Sequence, residues 1–350
     1  MSETFAPENH VVAGGDFGDE VTLSNPYGPL PLFVEPVDTA LAGDINVFQA
    51  WLVKHRDALE DALLEHGAVV FRGFPVRETD DFAQLVDLFP AHSQSYAGGA
   101  ALRAGIKGRV LESTRIDPSF NLPLHQEMAY LRHNPRVVAF FSRVAAETGG
   151  STTIADMRKV TDRLPAALLD KFDTHGVLYT RNLLSPDASD ERTNPLFGHN
   201  NWVANFGTED RRAVEQACAA RDMEPEWLPD GSLNMHNKLH GTIVHPVTGK
   251  LLYFNQAHAM IQRRHAYGDT AFAAVERVYG TDHPRAFDST FGDGTPISDA
   301  ELDAIYDAIA AETVAFPWQA GDVMFVENKL VAHGRAPFTG QREVQVALID

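Results

Sequence analysis

The sequence predicts an α+β protein whose sheet is completed by distant parts of the chain. Three observations carry this. Apolar residues recur at helical spacing near the front; short apolar runs of strand length occur both there and at the carboxyl terminus; and 350 residues, 44% hydrophobic and 22% charged, supply a substantial core. The expected organisation is an irregular N-terminal arm over 1–40 and a single domain over 41–350, rather than two separable domains.

Each element follows from its residues. Positions 1–40 are punctuated by Gly14, Gly15, Pro26, Pro29, Pro31 and Pro36, which predicts a surface arm around one or two short strands. Phe48, Leu52, Leu59 and Leu63 then recur at helical spacing, with Gly67 as a stop signal. Ala68 to Phe71 is a short apolar run closed by Arg72, Gly73 and Phe74, the pattern of a buried strand. A second helix is expected from Asp80 to Phe89, with Phe82, Leu85, Val86 and Phe89 on one side. Strand-like segments follow at Arg109 to Ser113 and Val137 to Phe141, and helices at Leu164 to Phe172 and, after the cap candidate Thr208, Glu209 to Arg221. His245 to Phe254 reads as strand, Gly-containing turn, strand. Ser298 and Glu301 match a capping box opening a helix with Leu302, Ile305 and Ile309 on one face. Val323 to Val326 and Val344 to Ile349 return to strand.

Charge and composition exclude several functions. The 29 basic against 48 acidic residues give a net charge of −19, which repels phosphate backbones and anionic lipid, so nucleic-acid and membrane partners are not expected. Cys218 is the single cysteine, no apolar run reaches spanning length, and the amino terminus lacks an export signal, so a cytoplasmic protein is expected. No internal repeat, G-x-G-x-x-G or P-loop is present, which removes the usual support for nucleotide binding.

The chemistry concentrates in two segments. His125 and Glu127 form H-x-E; on an extended strand, residues two apart share a side, so imidazole and carboxylate converge on one metal ion. A third ligand is available from His333, after the strand near the carboxyl terminus. Two histidines and one carboxylate on one face of an octahedron leave open positions, the arrangement of non-haem Fe(II) oxygenases. With 15 histidines in the chain, H-x-E by itself arises by chance, so its meaning comes from its surroundings.

Those surroundings form an ordered set: Gly67 to Phe74, His125 to Met128, Gly149-Gly150-Ser151-Thr152 to Asp156, Trp318 to Asp322, His333-Gly334-Arg335, and Gly340-Gln341-Arg342. The set resembles the TauD/TfdA family of Fe(II)/2-oxoglutarate-dependent dioxygenases, nearest its clavaminate synthase-like and SyrP-like hydroxylases. The middle is similar to that branch through Phe206-Gly207-Thr208, Glu215, Trp227, His245 to Gly249, and Phe254-Asn255-Gln256. The resemblance implies a double-stranded β-helix (jelly-roll) core with flanking helices and inserted loops, and Fe(II), 2-oxoglutarate and O2 as cofactor and cosubstrates.

Residue by residue, the resemblance implies His125, Glu127 and His333 as the iron ligands. It implies Arg342 as the partner of the distal 2-oxoglutarate carboxylate and Thr152 as a hydroxyl donor to it. Where many relatives carry a second arginine four residues after the first, this chain has Val346. Arg335 is expected to contact the cosubstrate or brace its loop, with bracing favoured. Arg109, Ser113, Asn121 and Asn255 are candidate substrate-pocket residues, and Gln256 a candidate for orienting them. Cys218, Trp202, Trp227 and Trp318 are expected to pack in the core, and His92, His175, His199, His236, His240 and His258 to be surface or satisfied core histidines. The implied reaction is hydroxylation of an unactivated C–H bond, the substrate an amino acid, free or loaded on a carrier protein, in a natural-product pathway. The alternatives are a sulfonate or other small organic acid, a non-catalytic metal-binding jelly roll, or a zinc hydrolase that would leave Arg342 and Thr152 without a purpose.

Overall fold

The alternation along Val323–Glu327 sets the layers of the molecule. Val323 and Phe325 pack on one side with Phe48, Leu52, Leu59, Leu63, Phe82 and Leu85 of the N-terminal helices, while Met324 and Val326 face the other way, toward Ile154, Phe316 and Val331 of a second sheet. The neighbouring strands alternate in the same sense: Val69, Phe71, Ala139 and Phe141 join the helix side; Val70, Val138 and Phe140 join the inter-sheet side. A sheet buried on both faces needs continuous apolar runs, which is why these segments are legible as strands.

The computed structural model describes residues 16–93, 105–113, 117–194, 199–261, 264–280 and 283–350. The larger sheet runs in the order Val21–Ser24, Leu32–Pro36, Ala68–Phe71, Val323–Glu327, Val137–Val144, Glu343–Ile349, Val110–Glu112, Gly105–Lys107. Its pairings are antiparallel except for Leu32–Pro36 beside Ala68–Phe71. Facing it is a sheet ordered Thr313–Phe316, Thr152–Asp156, Val331–Arg335, Leu122–His125. A third, Glu224–Trp227, Leu233–Leu239, Val177–Leu183, Phe287–Phe291, stands beside them. The protein is an α+β jelly roll with helices on the outer faces, as the resemblance implied. Among the described residues no helix is long and apolar enough to cross a membrane.

Several local expectations need correction. Val21–Ser24 and Leu32–Pro36 are not a surface arm; they enter the larger sheet and bury Leu32, Phe33 and Val34 to 1% exposure or less, while Gly14 and Gly15 lie outside the described residues. The first helical stretch is two helices, Ile45–Lys54 and Arg56–His66, broken at His55, whose Nδ1 donates to the Trp51 carbonyl at 2.9 Å. The second ends with Gly67 at φ 74, and a Cβ there would stand 2.4 Å from Val331 Cγ2, so glycine is required by both backbone and packing. The expected strand beginning at His245 starts earlier, as Thr242–Val244, and His245 sits in the turn before Leu251–Tyr253, its Nδ1 accepting from the Val247 and Thr248 N–H groups. The helix Met157–Arg163 was not expected; Asp156 caps it by accepting from Arg158 N. The Ser298/Glu301 capping box is present.

Cys218 is buried in a small cluster with Trp202, Leu233 and Met235, and burial pushes its thiol up, away from reactivity. His199 and His258 are buried and hydrogen-bonded, and burial pushes both imidazoles down to about 4.

Two predictions follow from packing. Asp322 is 1% exposed and accepts from Arg72 Nε at 3.0 Å, Arg72 Nη2 at 2.6 Å and Gln319 N at 2.8 Å. D322A strands the largely buried Arg72 and should cost about 3–5 kcal/mol, read from urea unfolding. His199 and His258 are neutral in the fold but gain a proton when unfolded below about pH 6.5, so stability should be full above that value. It should fall as the pH drops toward 4, by at most about 3 kcal/mol per histidine, measured as unfolding free energy at pH 7 and pH 4.5.

Candidate metal centre

The strand Val331–Arg335 lies between Leu122–His125 and Thr152–Asp156 and pairs antiparallel with both. Register sets His333 opposite His125 and Ile154, and Arg335 opposite Leu122 and Thr152. Alternate residues share a face, so His333 and Arg335 turn into the space between the sheets, while Ala332 joins the outer cluster under helix Asp299–Ala311. Phe140, from the larger sheet, meets the His333 ring edge-on at 5.0 Å.

Glu127 arrives by a different route from the one expected. The strand ends at His125, and residues 127–130 form a turn in which Met128 adopts φ 57, so shared strand face is not what brings Glu127 to His125. The cause is Asn328, fully buried: its Oδ1 accepts from Glu127 N at 2.6 Å and its Nδ2 donates to the carbonyls of Glu127 and Pro135, both at 2.9 Å. One side-chain amide thus replaces the missing strand partner. Gln126 Nε2 donates to Lys329 O at 2.8 Å; Gln256 Nε2 donates to Gln126 O; and His258 Nε2 donates to Leu124 O at 2.9 Å.

The result is a cluster in which one donor atom each from His125, Glu127 and His333 lies within 4.8 Å of the others. His333 Nε2 is 3.5 Å from Glu127 Oε2, and the two imidazole rings are 4.6 Å apart. His125 Nδ1 donates to Pro123 O at 2.9 Å, which leaves Nε2 with its lone pair toward the cluster. Two imidazoles and one carboxylate suit a divalent iron, and three protein ligands leave positions for other donors.

Beside the cluster lies a small cavity lined by His125, His333, Thr152, Arg335, Arg342 and Ser113, with Phe140 and Val344 as apolar walls. Arg342 Nε donates to Gly150 O at 3.0 Å, and among the described residues no carboxylate pairs with its guanidinium. Burial, then the neighbouring Arg335, pushes Arg342 down to about 10. Gly150, at φ 68, permits this closeness, since a Cβ would stand 2.8 Å from Ala146 Cβ and 3.1 Å from Arg342 Cδ. Thr152 Oγ1 accepts from Trp318 Nε1 at 2.7 Å, so the hydroxyl proton is left for another acceptor. A buried, underneutralised guanidinium with a hydroxyl donor beside a metal cluster fits an elongated dicarboxylate.

The other expected site residues divide. Ser113 reaches the cavity. Arg335 lines it but spends Nη2 on the carbonyls of Asp117 and Phe120, both at 2.9 Å, bracing the loop before the His125 strand. Arg109 does not reach it; its Nε lies 3.3 Å from Asp87 Oδ1. Asn121 is exposed and outside the lining. Asn255 is buried and satisfies backbone, donating to Gly241 O and accepting from Ala257 N. Val346 is fully buried in the inter-sheet core and brings no charge. Sequence reasoning missed Asn328 and His258 as supports of the H-x-E segment and treated Trp318 as packing alone. The one available signal was an amide, Asn328, ending an apolar strand.

Residues 28–348 match the family described as Taurine catabolism dioxygenase TauD, TfdA family. The chain is 32% identical over 292 residues to the dapdiamide synthesis protein DdaC of Enterobacter agglomerans, covering 83% of this chain and 84% of that protein. It is 30% identical over 329 residues to a clavaminate synthase-like protein of Arabidopsis thaliana, covering 91% and 93%. In fold it is similar to the PvcB protein of Pseudomonas aeruginosa, with a TM-score of 0.53 at 13% identity over 98% of this chain and 95% of that one. The chain belongs to the TauD/TfdA family and is a non-haem iron, 2-oxoglutarate-dependent dioxygenase, using Fe(II), 2-oxoglutarate and O2.

Proposed function

We propose that His125, Glu127 and His333 hold the iron, that Arg342 and Thr152 hold the distal carboxylate of 2-oxoglutarate, and that the enzyme hydroxylates a C–H bond of an amino acid, free or carrier-bound, in a natural-product pathway. The observation that carries the site is the clustering of the three donors beside a cavity that His125, His333 and the half-buried Arg342 line. The printed name of DdaC, a dapdiamide synthesis protein, supports the kind of pathway.

Iron held by these three residues would, with 2-oxoglutarate and O2, supply the oxidising power, with succinate and CO2 as the cosubstrate's products. The chain's own residues orient and shield. Arg342 neutralises the distal carboxylate through its planar fork, and Thr152 donates its proton to the same group because Trp318 already occupies the oxygen. Arg335 adds positive charge near the cosubstrate while its donors hold residues 117–120 in place. Phe140 and Val344 keep water from the inter-sheet side. Asn328 holds the backbone of Glu127 so that its carboxylate stays with the two imidazoles. A retained carboxylate at 127 fills the position a halide would need, so the substrate gains oxygen and not chlorine.

Purified protein given Fe(II), ascorbate and O2 should convert 2-oxoglutarate to succinate, and anaerobic addition of Fe(II) and 2-oxoglutarate should produce the weak visible band of the chelate. Iron binding without either would sink the assignment. R342A should raise the 2-oxoglutarate requirement by about 2–5 kcal/mol, roughly 30-fold or more, with little change in melting temperature; an unchanged requirement would move the anchor to Arg335.

A further inference from the structure

The turn between Val323–Glu327 and Val331–Arg335 is joined to all three candidate ligands. Leu330 leads directly into the strand that carries His333. Asn328 clamps the backbone of Glu127, and Lys329 O accepts from the side chain of Gln126, the neighbour of His125. Glu327 shapes this turn. It is 3% exposed, and its Oε2 accepts from Lys329 N at 2.8 Å and Leu330 N at 2.7 Å, so a buried carboxylate folds the three residues after it.

One oxygen of Glu327 is thereby engaged, and the other meets His245. His245 Nε2 stands 3.5 Å from Glu327 Oε1, with both side chains 4% exposed or less, and among the described residues no hydrogen bond draws Nε2 elsewhere. The ring is fixed from its other side, where Nδ1 accepts from Val247 N at 3.3 Å and Thr248 N at 3.1 Å. An Nδ1 that accepts leaves the ring proton on Nε2, the nitrogen nearest the carboxylate. Backbone holds the residue too: His245 N donates to Lys250 O at 2.8 Å, and His245 O accepts from Gly249 N at 2.9 Å. Arg136 adds its field to Glu327, but its guanidinium is forked on Glu60.

A chain of contacts therefore runs from the hairpin formed by Thr242–Val244 and Leu251–Tyr253 through His245 and Glu327 to Asn328, and so to Glu127. The same hairpin reaches the H-x-E segment again beyond its second strand, where Gln256 Nε2 donates to Gln126 O. Neither His245 nor Glu327 lines the cavity beside the metal cluster; they line a separate cleft with Arg136 and Lys329. Their route to the metal is the turn.

We propose that His245 is a positioning residue for the metal centre, acting through Glu327 and the turn at Asn328 on the carboxylate of Glu127 and the imidazole of His333. The proposal rests on the iron assignment above. A buried carboxylate that loses its partner at Oε1 rotates toward water, which frees the N–H groups of Lys329 and Leu330. Asn328 then loses its fixed place, and iron is held less tightly although no ligand has been removed.

The test uses two substitutions that separate the two ring nitrogens. H245N keeps an acceptor at the place of Nδ1, and with it the turn at Val247 and Thr248, but is too short to reach Glu327. H245Q keeps a donor at the place of Nε2. Each protein is freed of metal, its thermal unfolding is measured, and it is titrated anaerobically with Fe(II) at saturating 2-oxoglutarate, following the chelate band. H245N should bind Fe(II) about 10-fold more weakly, as when a partner that orients a metal ligand is lost, and H245Q should stay within about 3-fold of wild type, with similar metal-free melting temperatures. E327Q should also lose about 10-fold. The double variant H245N/E327Q should be no worse than either alone, because contacts acting in series do not add. Unchanged affinity in H245N, equal losses in H245N and H245Q, additive losses in the double variant, or losses that only track metal-free stability would overturn the proposal. If H245N does not fold, E327Q decides: it keeps an oxygen for both N–H groups and loses the charge facing His245, so wild-type affinity there would overturn the proposal. Absence of the chelate band in the wild type would instead overturn the metal assignment, and this proposal with it.

Discussion

The antiparallel pairing of Val331–Arg335 between Leu122–His125 and Thr152–Asp156 is the constraint on which the site depends. Its register puts two imidazoles opposite each other and sets Arg335 across from Thr152. A slip of one residue would turn His333 into the outer cluster and Ala332 into the cavity. The register is held by burial on both faces, since Val331 and Ile154 pack between the sheets while Ala332 and Ala155 pack under the outer helices.

The cavity is an electropositive hole in an otherwise acidic molecule. Net charge is −19, yet Arg335 lies close enough to Arg342 to disfavour its charge, with Arg335 buried and Arg342 half-buried. Such a placement carries a cost in desolvation and repulsion that a dianion bound there would offset. The fold tolerates it through backbone: the glycine at 150 lets Arg342 lie against a carbonyl, and the Arg335 donors find the carbonyls of residues 117 and 120.

Beyond the strand end, order is maintained by side-chain amides and one neutral imidazole rather than by sheet. Asn328 and Gln126 fasten the H-x-E segment to the turn after Val323–Glu327, while Gln256 and His258 fasten it from the other side. His258 can serve as a steady donor because burial keeps it neutral, with Nε2 protonated toward Leu124 O. These contacts connect the H-x-E segment to the third sheet, which Tyr179 and Asn237 also tie to it.

The layers were legible in the sequence because strands buried on both faces must be apolar throughout, as Ala68–Phe71, Val137–Phe141 and Val323–Val326 are. The candidate ligands and the candidate cosubstrate arginine could be picked out because metal and carboxylate binding admit few residue types, and the motifs bearing them occur in a set order. One or two short strands were expected near the amino terminus, but their place in the larger sheet was not legible, since prolines and glycines interrupt a segment whose burial comes from a parallel partner at Ala68–Phe71. The position of Glu127, the clamp by Asn328 and His258, and the donor state of Thr152 set by Trp318 were decided only by tertiary structure. Each depends on a partner tens to hundreds of residues away, and an amide or an arginine in sequence carries no mark of which distant backbone or cavity it will meet.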